Sequence, residues 1–168
     1  MTDLDRTAKD LLQQLRQRKL RVATAESCTG GLIAATLTEI AGSSDVVDRG
    51  FVVYSNDAKT DMLGVPASLI AAHGAVSEQV ARAMAAGALA NCPAEIAIAV
   101  TGIAGPGGAT PTKPVGLVHL AVARRNGGIA HERRVFPGSR REVRLATVER
   151  ALAMIVETAG QVPVEDAP

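Results

Sequence analysis

The sequence predicts an α/β fold: three layers, α/β/α, around a mixed sheet of about five strands. Three observations predict it. Short β-branched runs alternate along the chain with stretches whose apolar residues recur at helical spacing. Residues 96–101 are apolar almost throughout, the pattern of a strand covered on both faces. Asn126-Gly127-Gly128 separates two strand-like runs and signals a hairpin, so the sheet cannot be wholly parallel.

The elements follow in order. Leu4, Ala8, Leu11, Leu12 and Leu15 recur at helical spacing with charged residues between them, which predicts a first helix. Residues 20–25 read as a short strand, and residues 30–40 as an Ala/Leu/Ile-rich helix stopped near Gly42. Residues 46–55 carry β-branched and aromatic side chains and read as a second strand. Asn56 is placed as the N-cap of a short helix ending at Gly64, and Pro66 opens another reaching about Ala72. Ser77 caps a longer helix over residues 78–91. Its Ala81, Ala83, Ala85, Ala86, Gly87 and Ala88 leave little bulk, so it can approach a neighbour closely. The strand at 96–101 is followed by a Gly/Pro-rich loop over 102–115, then by strands at 116–123 and 129–136. Ser139 and Glu142 form a capping box for a last helix with the stripe Leu145, Val148, Leu152 and Ile155. Residues 1–160 read as a single domain. Residues 161–168 read as a flexible tail with too little apolar content to pack.

Bulk properties narrow the function. The chain of 168 residues has the usual size of one domain, and 47% hydrophobic with 21% charged residues is ordinary for a globular protein. A net charge of +1 gives no field that would gather nucleic acid or anionic lipid. Phe51, Tyr54 and Phe136 are the only Phe, Tyr or Trp residues, too few for a base-stacking platform. Nucleic acid and membrane are therefore not expected partners. No apolar run approaches the roughly 20 residues that span a bilayer. The polar, acidic residues 1–6 are wrong for a secretory leader. Cys28 and Cys92 form no C-x-x-C pair and no ligand cluster, which argues against a zinc site or a disulfide scaffold and for a reducing, cytoplasmic setting.

Three segments could carry chemistry. Glu26-Ser27-Cys28-Thr29-Gly30-Gly31 lies between the first strand and its helix. Open α/β sheets place their sites there, and the N–H groups of a helix N-terminus favour negative charge. Ser27 could be a nucleophile, with backbone N–H groups of Cys28, Thr29, Gly30 and Gly31 holding an oxyanion; as a plain N-cap with glycines for a tight turn it needs no such role. Taken alone, the segment favours the plain cap. Tyr54-Ser55-Asn56-Asp57-Ala58-Lys59 ends the second strand. A lysine in a first helical turn is disfavoured as a cation, so Lys59 could be a neutral base and Tyr54 a proton donor or relay. Alone, this segment reads better as a solvated helix residue and a rim residue. Thr101-Gly102-Ile103-Ala104-Gly105-Pro106-Gly107-Gly108 also follows a strand. It fits neither a P-loop nor a dinucleotide fingerprint, but a loop of this length in a compact domain suggests substrate contact through Thr101, Gly102, Gly105, Gly107 and Gly108. His73 reads as a helix-end residue, and with His119 and His131 it gives no metal spacing. Of the arginines crowded near the C-terminus, Arg140, Arg141 and Arg144 could hold a phosphate.

Together these segments closely resemble the CinA C-terminal domain family over residues 4–156. The resemblance rests on Ala25-Glu26-Ser27-Cys28-Thr29-Gly30-Gly31, on Tyr54-Ser55-Asn56-Asp57-Ala58-Lys59 with Leu63-Gly64-Val65, and on Gly74-Ala75-Val76-Ser77-Glu78. It rests also on Thr101-Gly102-Ile103-Ala104-Gly105-Pro106 with Lys113-Pro114-Val115-Gly116. Ala109 stands where a third glycine is expected after Gly107-Gly108. Enzymatic members of that family are nicotinamide-nucleotide amidohydrolases, and larger members carry a further N-terminal domain; this chain looks like the stand-alone form. The resemblance implies conversion of nicotinamide mononucleotide to nicotinate mononucleotide and ammonia without metal or cofactor, a small-molecule nucleotide substrate, and a homo-oligomer. It puts the family's catalytic serine on Ser27, its lysine on Lys59 and its tyrosine on Tyr54. The expected reaction has Lys59 take the Ser27 proton, N–H groups around Thr29 and Gly31 hold the oxyanion, and Tyr54 with Lys59 protonate the departing ammonia. Two other readings compete: a non-catalytic nucleotide-binding or competence-related regulatory module, and an amidase on another small carboxamide.

Overall fold

A computed structural model describes residues 1–162; the remainder of the expected tail, residues 163–168, lies outside the described residues. The chain runs α1 (Asp3–Gln17), β1 (Val22–Glu26), α2 (Leu32–Thr38), a 3₁₀ turn at Ser43–Asp45, β2 (Val47–Val52), α3 (Asn56–Leu63), α4 (Ala67–His73) and α5 (Glu78–Ala90). It continues through β3 (Ile96–Gly102), β4 (Leu117–Arg124), β5 (Ile129–Val135) and α6 (Arg140–Gly160). The sheet is five-stranded and mixed, in the order β2-β1-β3-β4-β5. β1 pairs in parallel with β2 and β3, and the β3–β4 and β4–β5 pairs are antiparallel.

Strand alternation sorts the core into two unlike halves. On one face the register lines up Ala23 with Ala97 and Ala123, and Ala25 with Ala99 and Ala121. This floor of methyl groups carries α5, whose inward residues include Ala81, Met84, Ala85 and Ala88, together with Leu63 of α3 and Ile70 of α4. Small residues on both sides let the layers approach closely. At Gly87 an added Cβ would stand 2.0 Å from the Leu63 carbonyl oxygen, so the α3–α5 contact is made through bare backbone. The opposite face carries the bulk: Val22, Ile96, Ile98, Val100, Val118, Leu120 and Val122 pack under α1, α2 and α6. Each of these larger side chains, taken from water, contributes about 1.5–3 kcal/mol.

Three sequence expectations shift. The second strand, expected over 46–55, ends at Val52. Ser55, not Asn56, caps α3: its backbone is extended and its hydroxyl accepts from the Ala58 N–H at 3.0 Å, which leaves Asn56 as the first helical residue. The helix expected over 30–40 begins only at Leu32, because Gly30 and Gly31 take φ of 59° and 98°, outside the right-handed helical region. The Ser139–Glu142 capping box of α6 forms as the sequence predicts. At the helix's far end, Arg18 donates to the Val162 carbonyl at 2.9 Å and Arg124 to that of Gln161 at 3.0 Å.

Candidate active site

The parallel strands β1, β2 and β3 deliver their carboxyl ends to one edge of the sheet. The chain leaves β1 toward α2 and β2 but leaves β3 toward β4, so a crevice opens between the ends of β1 and β3. Ser27, the first residue after β1, donates its N–H to the Val100 carbonyl of β3 at 3.1 Å, and Val53 donates to the Glu26 carbonyl at 2.9 Å. These two bonds fix Ser27 between the neighbouring strand ends.

α3 then turns Lys59 back over the crevice. Its Nζ lies 3.1 Å from Ser27 Oγ, 3.0 Å from the Val53 carbonyl and 3.4 Å from that of Tyr54. Lys59 is 1% exposed and forms no ion pair among the described residues. Burial lowers its pKa below the usual lysine value, opposed by nearby Cys28. The sequence pointed to the helix dipole together with partial burial, and burial is the cause found here. The carbonyls of Val53, Tyr54 and, at 3.5 Å, Ser55 can take N–H bonds from the amine, and in its neutral form the lone pair can serve the Ser27 hydroxyl. Cys28 beside it is held as a thiol: burial pushes its pKa up to about 12. The oxygen at 27, not the sulfur at 28, therefore has the base.

The turn after Ser27 departs from expectation. Gly30 N–H donates to the Ser27 carbonyl at 3.1 Å and Gly31 N–H to Glu26 Oε2 at 3.1 Å, so neither is available as an oxyanion donor. Cys28 and Thr29 N–H have no acceptor among the described residues.

A cavity of about 210 Å³ sits over this turn. Ser27, Cys28 and Lys59 line it, as do Ala75, Val76, Thr101, Gly102 and Ala104, with Tyr54, Asn56 and Arg140 completing the lining. Thr101 is committed structurally: its hydroxyl donates to the Ala75 carbonyl at 2.9 Å and anchors that wall. Tyr54 is 61% exposed, and its hydroxyl accepts from Arg140 at 3.0 Å rather than bonding Lys59 or Ser27. Arg140 also donates to the Gly105 carbonyl at 2.9 Å, and Arg144 braces the turn by donating to the Thr29 carbonyl at 2.8 Å. Of the expected contacts, Thr29, Gly30, Gly31, Gly105, Gly107, Gly108, Arg141 and Arg144 do not line the cavity: Thr29 is wholly buried behind Cys28, and Gly107, Gly108 and Arg141 are exposed away from it. A cavity of about 250 Å³ beside Arg124, Gly128 and Gln161 is larger but lined by no nucleophile–base pair.

Four features were missed by sequence reasoning. Asn56, freed from capping, turns its residue to the cavity. Ala75 and Val76 form a wall tied to Thr101, and their place in the Gly74-Ala75-Val76-Ser77-Glu78 segment was the available signal. His119 and His131 meet at 2.9 Å and stack; the hairpin register, which pairs His119 with Arg133 and His131 with Ala121, would have placed them diagonally on one face. Glu26 is wholly buried behind the turn, and its position directly before Ser27 was the available signal.

Comparison with known proteins shows the family and the fold. A family model described as the CinA C-terminal domain matches residues 4–159. A CinA-like protein of Mycolicibacterium gilvum is 58% identical over 134 residues, covering 80% of this chain and 32% of that protein. A CinA-like protein of Akkermansia muciniphila is 48% identical over 158 residues, covering 94% and 38%. The chain thus spans about a third of the length of these sequence relatives. Among solved structures, the competence/damage inducible protein CihA of Agrobacterium tumefaciens superposes with a TM-score of 0.92 at 54% identity, covering 96% of this chain and 98% of that one. A competence-damaged protein (CinA) superfamily protein from Klebsiella pneumoniae superposes with a TM-score of 0.91 at 36% identity, covering 96% and 100%.

Proposed function

The chain belongs to the CinA C-terminal domain family, and from that footing we propose that it is an amidohydrolase that converts nicotinamide mononucleotide to nicotinate mononucleotide and ammonia. One observation carries the reading: a buried lysine amine with no carboxylate partner among the described residues lies 3.1 Å from the Ser27 hydroxyl at the mouth of a cavity. Burying a lysine without a counter-ion costs stability, and activating a nucleophile is the return that explains it.

In the proposed reaction neutral Lys59 removes the Ser27 proton as Oγ bonds to the carboxamide carbon. The oxyanion is received by the N–H groups of Cys28 and Thr29. As the tetrahedral intermediate collapses, the C–N bond breaks and the Lys59 ammonium protonates the departing amine, which leaves as ammonia. Water then attacks the acyl-enzyme, giving its proton to Lys59. Lys59 returns that proton to Ser27 Oγ as the ester bond breaks and nicotinate forms. Tyr54 moves from the proton relay expected of it to the rim, where with Arg140 it meets the ribose phosphate. The cavity is smaller than the ~300–1,000 Å³ that encloses a drug-sized ligand. It suits the carboxamide ring, with the rest of the nucleotide at the rim.

The test is ammonia release from nicotinamide mononucleotide, nicotinamide riboside and nicotinamide. The mononucleotide should be the best substrate, and Ser27→Ala should lower its turnover by on the order of 10⁴-fold or more. Undiminished release by Ser27→Ala would end the serine mechanism. Release from another carboxamide but not from the mononucleotide would retire the substrate, and no release from any would favour a binding module.

A further inference from the structure

Among the described residues Glu26 is the only carboxylate side chain that is fully buried, and no arginine or lysine pairs with it. Four donors surround it instead. Oε2 accepts from the Thr29 hydroxyl at 2.6 Å, from Gly31 N–H at 3.1 Å and from Ile33 N–H at 3.0 Å; Oε1 accepts from Ala34 N–H at 2.9 Å. The N-cap residue of α2, Gly31, has no side chain to offer, so the cap comes from five residues upstream.

This contact decides which N–H groups of the turn stay free. Three donors at the start of α2 point back at Glu26 and are withdrawn from the cavity. Gly30 and Leu32 N–H are spent on the carbonyls of Ser27 and Thr29 at 3.1 Å each. What remains is Cys28 and Thr29, directly after the serine, and the Thr29 side chain is itself clamped by Glu26. We propose that Glu26 is a positioning residue that builds the oxyanion site: by capping α2 and tethering Thr29, it fixes the turn so that the unspent N–H groups of Cys28, which lines the cavity, and of Thr29 directly behind it serve the carbonyl oxygen of an acyl substrate on Ser27.

The inference rests on Ser27 acting as nucleophile but not on the identity of the substrate, and a boronic acid separates the two. Pyridine-3-boronic acid accepts the Ser27 oxygen at boron while Lys59 takes the released proton, which gives a tetrahedral adduct whose oxygen occupies the oxyanion site. Its affinity, followed by boron NMR, is measured for the wild-type chain and for Glu26→Gln, whose amide must turn a donor toward donors. Thr29→Val, which keeps the volume but loses the tether, and Thr29→Ser, which restores the hydroxyl, are measured alongside. Glu26→Gln should weaken boronate binding and lower kcat by about 10²-fold, with KM within about threefold, the loss expected for one misplaced oxyanion donor. Thr29→Val should lose about tenfold and Thr29→Ser should stay close to wild type. A merely structural role would lower the melting temperature without this split between kcat and KM. Boronate affinities of Glu26→Gln and Thr29→Val within about threefold of wild type would overturn the inference. A wild-type chain that forms no adduct would overturn the nucleophile and this inference together. A wild-type adduct without release of ammonia from the mononucleotide would retire only the substrate.

Discussion

Lys59 concentrates the conflict between stability and chemistry in a single side chain. The fold buries its amine, where the charged form is penalised, with only carbonyls and a hydroxyl for partners among the described residues. Its folded pKa is depressed, so between that value and lysine's ordinary ~10.4 the unfolded chain binds the extra proton, and stability rises with pH across that window. Below the window the cost is carried in full. Lys59→Met should therefore abolish turnover while stabilising the fold at neutral pH by about 1–3 kcal/mol, read from urea unfolding. A destabilised variant would mean that the amine's hydrogen bonds outweigh its burial. Sequence alone could name Ser27 and Lys59 but not the 3.1 Å between them, because that distance depends on where β2 ends and how α3 is capped. Cys28 shows the complementary limit: its identity invites a thiol mechanism, and only its burial removes it.

At the scale of the element, the site is assembled by helix ends. Ser55 caps α3 and aims Lys59; Glu26 caps α2; Ser139 caps α6 and starts the turn from which Arg140 reaches Tyr54 and Gly105. The α6 capping box was legible because its two partners sit at a fixed spacing of three residues. The Glu26 cap was not, because no local rule links a strand residue to the N–H groups five to eight positions on. Asn56 was misplaced for a related reason. Ser55 and Asn56 are both good caps, and which one serves is settled by where the chain leaves β2. Ser139→Ala should cost about 1 kcal/mol of stability. Through Arg140 it should raise KM for the mononucleotide more than it lowers kcat. Steady-state kinetics would contradict the rim role of Arg140 if kcat fell and KM did not change.

For the whole molecule, the alternation along three strands separates an alanine floor under α5 from a Val/Ile/Leu face under α1, α2 and α6. The close approach of α5 was readable from its run of small residues, but the asymmetry was not, because composition does not say which residues share a face. Strand order was not, since it is set by pairings distant in sequence. The same pairings bring together His119 and His131, which spacing alone had left scattered. Burial, then His131 and Arg133, push His119 down to about 4. The unfolded chain takes up protons near pH ~6.5 that the folded one refuses, so stability should fall as pH drops from about 6.5 toward 4. Urea midpoints across this range should show the decline in wild type and a shallower one in His119→Gln. Equal slopes would remove the pair from the acid response.

The Ser27 hydroxyl has a base only if the Lys59 amine is neutral, and an NMR titration of Lys59 Nζ reads that charge state directly. In wild type and in Ser27→Ala the amine should lose its proton below lysine's ordinary ~10.4, and the rise of kcat/KM with pH in the wild type should follow the same inflection. An amine that stays protonated up to or beyond the ordinary value would leave Ser27 without a base and contradict the mechanism.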